Sequence, residues 1–432
     1  MTNTQSNIQK ALKELGVTLL TGSGVLSDLP KVLLSRSIGS VFLYEDKNTS
    51  LSAGEAVKKL LCAQGIRTKS YCFCAEHLEP NESAVGLALM HFDPTVDAVV
   101  GVGSGVINDI SKIVANASGK PYIIVATAPS MDGYASATSS MSVAGLKMSL
   151  PSKCADIIVG DTDLLRGAPM EMLLAGLGDM LAKYVALCEW RISALINSEG
   201  YRTDVADMVR AALKKCVQNA AGLLQRDKEA TEAVFEGLVL CGAAMKIAGS
   251  SRPASGVEHY LSHVWDMRGE QFGTPTSLHG LQCAVGTYIA VGLYEKLRRI
   301  TPDRARALAY NEGFDYTVWA KELMGFLGSG ADAMIALERK EQKYDLAKHA
   351  ARLDRILKNW DGILAILLEE LPPMSVLTEL YDKVGLPKYP ADIGLDASIL
   401  PMTFKATKDI RDKYVLSRLC HDLGVTDEML EE

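Results

Sequence analysis

The sequence predicts an α/β N-terminal domain with a parallel sheet, followed by an all-α C-terminal domain. Three observations carry this reading. Up to about residue 160, short runs of β-branched and aromatic residues alternate with amphipathic helical patterns. Such alternation argues for a parallel sheet covered on both faces. One of these runs enters a glycine-rich turn, Gly101-Val102-Gly103-Ser104-Gly105, that opens a helix. From about Asp163 the β-branched runs nearly vanish and long helical patterns take over.

Taken in order, Ser40 to Tyr44 (SVFLY) reads as a strand, followed by an amphipathic helix near residues 52–64. Lys69 to Phe73 is a second strand and residues 82–92 a second helix. Asp97 to Val100 (DAVV) is a third strand, leading into the glycine turn and a helix from Val106. Tyr122 to Val125 (YIIV) is a fourth strand, and Ala137 to Ser152 fits a β-hairpin turning at Val143, Ala144 and Gly145. Helical patterns then cover 170–196, 202–225, 229–249 and 281–298. These divide the chain into an α/β domain over 1–162 and a helical domain over 163–432, the first expected to bind a dinucleotide and the second metal and substrate on the motifs taken up below. Residues 303–365 are charged and helical, without identifiable chemistry, and read as a helical insertion.

At 432 residues the chain is long enough for two cores. Its 48% hydrophobic and 22% charged composition is that of an ordinary globular protein. A net charge of -7 without a long basic run argues against nucleic-acid binding. Nine scattered cysteines with no CxxC pair read as reduced, mostly buried thiols. The polar N-terminus lacks a secretory apolar stretch, and no apolar run is long enough for membrane insertion. A cytoplasmic protein is expected.

The glycine turn joins a strand to a helix N-terminus, whose exposed N–H groups and positive dipole end suit a pyrophosphate. A glycine-rich βα turn is often only a turn, and two further features favour a Rossmann-like site. Asp46 lies just past the first strand, where a carboxylate can accept from ribose hydroxyls. Thr127 and Ser130 follow the fourth strand at the same edge. The Asp46 carboxylate leans toward NAD, while the adjacent Lys47 keeps NADP open.

A second constellation concerns a metal. In Gly176-Leu177-Gly178-Asp179 the carboxylate stands four residues before Lys183 in an apolar helical pattern. On an exposed helix this would be an ordinary ion pair; among Leu, Met, Ala and Gly both charges need a partner or a role. His259 and His263 are also four apart, and His279 follows in a Leu-His-Gly sequence. A carboxylate and two imidazoles can hold a divalent ion with positions open for substrate, as catalytic sites do. Spacing supplies four candidates for three places and leaves open which histidine is left over.

These stretches resemble the sn-glycerol-1-phosphate dehydrogenases, archaeal and bacterial AraM-type. That family lies within the superfamily of iron-containing alcohol dehydrogenases, glycerol dehydrogenase and dehydroquinate synthase. The matching strings are GSGVINDISK (103–112), TAPSMDGYAS (127–136), the run from Asp161 to Tyr184, SSRPASGVEHYLSH (250–263) and SLHG (277–280). IRDKYVLSRLCHDLG (410–424) matches more loosely. The resemblance spans nearly the whole chain except 303–365. It implies a dehydroquinate synthase-like fold with a cleft between the domains. It also implies metal ligation by Asp179, His259 and His279, with His263 turned to substrate. Asp132 falls on a substrate-binding carboxylate. Asp46, the run Gly103, Ser104, Gly105, Val106, Ile107, Asn108 and Asp109, and Thr127, Ser130 and Ser136 fall on dinucleotide contacts. Lys183 stands where the wider superfamily has a histidine, which leaves three ligands and places a cation for a substrate phosphate; Arg252 is a second candidate. Val102 replaces a glycine of the commoner loop, a harmless departure if its φ is negative.

The resemblance thus implies reversible reduction of dihydroxyacetone phosphate to sn-glycerol 1-phosphate by NADH or NADPH. One Zn²⁺, Ni²⁺ or Fe²⁺ would assist, the donor set suiting all three. Asp132, His263 and Lys183 are the expected catalytic side chains, with Asp179 also near substrate. A homodimer is expected. The alternatives are a dehydrogenase for glycerol or another polyol, a dehydroquinate synthase-like lyase, and a non-catalytic relative.

Overall fold

The computed structural model describes residues 3–143 and 146–431. Compactness divides the chain into two units, Met1–Met180 with Asp207–Ser250, and Leu181–Ala206 with Ser251–Glu432. The change from mixed to helical character near Asp163 therefore falls inside the first unit, which keeps helices of its own.

The first unit is built on six parallel strands. These are β1 (Thr18–Gly22), β2 (Ser40–Asp46), β3 (Arg67–Phe73), β4 (Ala98–Gly103), β5 (Tyr122–Ala126) and β8 (Ile157–Asp161), in the order β1-β8-β5-β4-β2-β3. Four of them are the strands legible in the sequence; β1 and β8 are additions. Both are five residues long and carry a glycine. In β8 that glycine admits a helix: a Cβ on Gly160 would lie 1.9 Å from the Phe235 ring. The central strands are buried along their whole length, which is why they read as unbroken apolar runs. On one face Val41, Leu43, Val100, Val102, Ile123 and Val125 pack with Val57 and Leu61 of the Glu55–Ala63 helix.

A separate antiparallel hairpin pairs β6 (Thr138–Val143) with β7 (Leu146–Pro151), as the sequence suggests. Of its expected turn, Ala144 and Gly145 lie outside the described residues.

The helical patterns hold with differences in detail, and the 202–225 run is an α-helix over Thr203–Asn219 closed by a 3-10 turn over Ala220–Gln225. The run expected over 170–196 is two helices, Met170–Leu181 and Lys183–Asn197, interrupted at Ala182. Asp179 thus belongs to the end of one helix and Lys183 to the start of the next, so they do not share one continuous helix face. The helix expected over 281–298 begins at His279 and runs to Leu297. This places His279 in a first helical turn.

The second unit is helical throughout its described residues. Residues 303–370 supply five of its helices, from Arg304–Glu312 to Trp360–Glu370. They are tied into its interior: Trp319 Nε1 and the Tyr344 hydroxyl both donate to Asp409, which is 1% exposed. Among the described residues, no helix is long and apolar enough to cross a membrane.

Candidate active site

In the first unit the candidate residues gather at the carboxyl edge of the sheet. β2 and β4 are neighbours, but the chain leaves β2 toward β3 and β4 toward β5, on opposite sides. That reversal is the switch point where open α/β sheets bind ligands. Asp46 closes β2, and Gly103 closes β4 just before the Gly105–Ser118 helix. The Asp46 side chain caps a short turn, accepting from the Thr49 amide at 2.8 Å through Oδ1. Gly103 is required by contact: a Cβ there would lie 2.6 Å from Ile107 Cβ. Val102 has no positive φ and points into the core from β4, so the departure noted in the sequence is harmless.

Not every residue of the loop is exposed to a ligand. Asn108 is fully buried and accepts from the Tyr122 hydroxyl at 3.2 Å. Asp109 accepts from the Ser140 amide of the hairpin at 3.2 Å. The Ser104 and Ser130 hydroxyls bond each other, and the Thr127 amide donates to the Gly103 carbonyl at 3.1 Å. Val106 is half-buried and Ile107 buried.

The Thr127–Ser136 loop is held by three devices. Lys112, fully buried, donates to the Gly133 carbonyl, the Ser136 hydroxyl at 2.9 Å and the Thr138 carbonyl at 3.1 Å. Burial pulls its ammonium below the usual lysine range, partly offset by the charges of Asp109 and Asp132. Two glycines let helices approach the loop's backbone: a Cβ on Gly176 would lie 1.8 Å from the Pro129 carbonyl oxygen, and one on Gly242 2.6 Å from that of Asp132. Finally, Asp179 Oδ2 accepts the Asp132 amide at 2.9 Å. Asp132 and Asp179 are thereby brought together, whereas the Ser136 hydroxyl is engaged within the loop.

In the second unit His259 and His263 lie on the Val257–Phe272 helix, and His279 starts the next. The His259 ring centroid lies 5.1 Å from that of His279, and His263 stacks on His279 at 6.2 Å. Two polar groups fix the tautomers. His259 Nδ1 lies 2.8 Å from Oε1 of Glu258, a carboxylate that can only accept, so Nδ1 carries the proton. The Ser262 hydroxyl donates to Gln282 Oε1 at 2.8 Å and therefore accepts from His279 Nδ1 at 3.1 Å. Gln282 is itself held, donating to Asp266 at 2.9 Å and to the Ser277 carbonyl at 3.0 Å. Both rings then carry their acceptor lone pair on Nε2, the arrangement of metal-binding histidines with an orienting outer partner. The Cys283 sulfur, one turn along from His279, lies 3.5 Å from His279 Nε2.

Behind these rings is a buried network of charge. Glu189 accepts the amides of Val257 at 2.9 Å and Leu416 at 2.8 Å. Burial and the nearby Glu258 charge push its carboxyl up to about 8. The Cβ that Gly256 lacks would meet both carboxylates, 2.6 Å from Glu189 and 2.7 Å from Glu258. Arg252, 3% exposed, grips Glu199 through Nε at 2.7 Å and Nη2 at 2.6 Å and donates Nη1 to the Tyr414 carbonyl. It braces the 252–256 loop. Lys183 and Lys413 hold the same loop, donating to the successive carbonyls of Ala254 at 3.1 Å and Ser255 at 2.8 Å.

Residues 20–169 match the family model described as iron-containing alcohol dehydrogenase. The glycerol-1-phosphate dehydrogenase [NAD(P)+] of Halalkalibacterium halodurans is 28% identical over 402 residues, covering 92% of this chain and 90% of that protein. The glycerol-1-phosphate dehydrogenase [NAD(P)+] of Methanosarcina mazei is 31% identical over 285 residues, 65% of this chain and 78% of the relative. The chain belongs to the glycerol-1-phosphate dehydrogenase family. The family's fold extends to solved structures: a probable glycerol dehydrogenase from Sinorhizobium meliloti aligns over 95% of this chain and 96% of its own with a TM-score of 0.59. At 17% identity that likeness concerns the fold alone.

Among the residues that hold this family member's candidate site, Lys112, Glu189, Glu258 and Lys413 are not singled out as site residues by the sequence. Two signals were present: Lys112 is the one basic residue of the run Gly105–Ser118, and Glu258 directly precedes a candidate ligand. The partners of Glu189 and Lys413 lie far away in sequence, and no spacing rule finds them.

Proposed function

We propose that the chain interconverts dihydroxyacetone phosphate and sn-glycerol 1-phosphate, using NADH or NADPH and one divalent metal ion. The orientation of His259 and His279 carries the chemical half of this reading, because two imidazoles with protons fixed on Nδ1 suit a metal. The specific substrate rests on the family. In this reading Asp179, His259 and His279 hold the ion, which when bound supplies a Lewis acid toward the ketone or alcohol oxygen. Zn²⁺, Ni²⁺ and Fe²⁺ remain equal candidates by donor type.

The protein's own groups bind, orient and move protons. The N-terminus of the Gly105–Ser118 helix takes the pyrophosphate, with the loop of Thr127 and Ser130 beside it. Asp46 uses Oδ1 as a cap, and the second oxygen accepts from a ribose hydroxyl. Asp132 orients the substrate, and its backbone hydrogen bond to Asp179 couples the loop to a proposed ligand. His263 hands a proton to or from the substrate hydroxyl. Lys183 attracts the phosphate; Arg252, engaged by Glu199, acts through the loop it braces. We read the protein as a cytoplasmic homodimer, and nine free cysteines suit a reducing compartment.

The test is an assay with dihydroxyacetone phosphate and each nicotinamide cofactor, followed by determination of the product enantiomer. Chelation or Asp179→Ala should remove turnover while NAD(H) binding survives. Full activity in the metal-free protein overturns the proposal. A polyol dehydrogenase acting on the unphosphorylated substrate is the second reading. A higher kcat/KM for dihydroxyacetone than for its phosphate would establish it.

A further inference from the structure

Lys413 is a cation with no counter-charge at bonding distance. It is half-buried on the segment just before the Leu416–Asp422 helix. Its ammonium donates to the Ser255 carbonyl at 2.8 Å and, among the described residues, forms no ion pair with a carboxylate. Burial and the charges of Arg252 and Arg411 pull the ammonium down to about 7, and Glu258 and Glu189 offset this only in part. An ammonium so placed recovers its full charge when an anion arrives. The Tyr260 ring lies beside it, with Lys413 Nζ 5.9 Å from the ring centroid. Tyr260 is fully buried, yet its hydroxyl has no hydrogen-bond partner among the described residues. A buried phenol normally bonds through its O–H. The two donors do not bond each other, and a tetrahedral anion accepting hydrogen bonds of about 2.8 Å from both bridges such a gap. The pair also borders the candidate metal ligands: Tyr260 directly follows His259, and its ring lies 6.3 Å from that of His263. Lys183 approaches the same loop through the Ala254 carbonyl but is fully buried, so Lys413 is the lysine that a small ligand can touch.

We propose that Lys413 and Tyr260 contact the phosphate of the substrate, Lys413 through its ammonium and Tyr260 through its hydroxyl. This rests on the reading that a phosphorylated ketone reacts beside His259 and His263. A phosphate monoester has three terminal oxygens that accept strongly, enough for both donors at once. Lys183 and Arg252 add positive potential without touching the anion, since Ala254 and Glu199 engage them. Lys413 thereby sets specificity, because an unphosphorylated polyol leaves its ammonium and the Tyr260 hydroxyl unpaired.

The experiment compares the full-length parent protein with Lys413→Met, Lys413→Arg and Tyr260→Phe, each metal-loaded and checked for folding by circular dichroism. The ratio of kcat/KM for dihydroxyacetone phosphate to that for dihydroxyacetone should fall about 10–100-fold in Lys413→Met, chiefly through KM for the phosphate, and about 10-fold in Tyr260→Phe. Lys413→Arg keeps the charge and should recover part of the ratio. Binding of inorganic phosphate, followed by calorimetry without turnover, should weaken in Lys413→Met and Tyr260→Phe. An unchanged ratio in Lys413→Met or in Tyr260→Phe overturns the role of that residue. An equal loss on both substrates also overturns it, and leaves Lys413 as a support of the 252–256 loop only. If the parent protein turns over neither substrate, the reaction proposed above fails and phosphate binding decides alone. Binding that is lost in Lys413→Met then supports the anion site; a parent protein that binds no phosphate, or variants that bind it equally well, overturns it.

Discussion

Glu258 Oε1 takes two donors, the Gly256 amide at 2.7 Å and His259 Nδ1 at 2.8 Å. The carboxylate fixes the tautomer and makes the ring a better electron donor, so it is a positioning residue for any metal at Nε2. Glu258→Ala should weaken metal binding about 10–100-fold, read by competition with a chromogenic chelator; Glu258→Gln, which keeps the acceptor oxygen, should have a smaller effect. Unaltered affinity in the alanine variant would remove Glu258 from the site. Lys112 acts at the same scale on the loop of Asp132. Lys112→Met leaves the Gly133 and Thr138 carbonyls and the Ser136 hydroxyl without their buried donor. Stranding buried acceptors should lower stability by about 2–4 kcal/mol, measured by urea denaturation. Such residues were partly legible: His259, His263, His279 and Asp179 declare themselves by type and spacing, whereas Glu258 acquires its role only once its oxygen is seen against Nδ1.

At the scale of elements, two helices shape the Thr127–Ser136 loop by coming unusually close to it. Gly176 on Met170–Leu181 and Gly242 on Lys228–Ala248 each press bare backbone against the carbonyls of Pro129 and Asp132. Gly176→Ala should destabilise by about 3 kcal/mol, since the obstacle is backbone and cannot swing aside. The loop would also be displaced, so kcat/KM should fall more than the folded fraction does, which parallel thermal melts and kinetics would show. A variant with wild-type melting and kinetics would mean that the loop yields freely. The strands β2 to β5 were legible because a strand buried on both faces needs an unbroken apolar run. β1 and β8 were not, since five residues ending near a glycine carry too little pattern. The continuous helical pattern across Ala182 likewise hid a break, because apolar periodicity persists where the hydrogen-bond ladder does not.

For the whole molecule, the buried Glu189 makes stability depend on pH. Its carboxyl rises from an ordinary 4.5 to about 8 in the folded state, through burial and the charge of Glu258. Between those values the folded chain holds a proton that the unfolded chain has released. Stability from this group is therefore full below about 4.5 and is lost as pH rises through about 8. Denaturation series over that range should show a decline, and Glu189→Gln should flatten it while lowering stability at the acid end, because its amide opposes one backbone donor. A wild-type slope retained in Glu189→Gln would assign the dependence to other groups.

The sequence by itself determined the order of an α/β region and a helical region, the glycine turn and the residue types able to hold a metal. These follow from local rules, since period, turn chemistry and ligand type are written in neighbouring residues. The tertiary structure decided what each charge meets. Arg252 is bound to Glu199 and Lys112 to the Asp132 loop, while Lys413 meets the Ser255 carbonyl. Such roles depend on burial and on partners up to hundreds of residues away, as Glu189 and Leu416 illustrate. A buried polar group must find its partner wherever the fold brings one, and linear spacing does not record where that is.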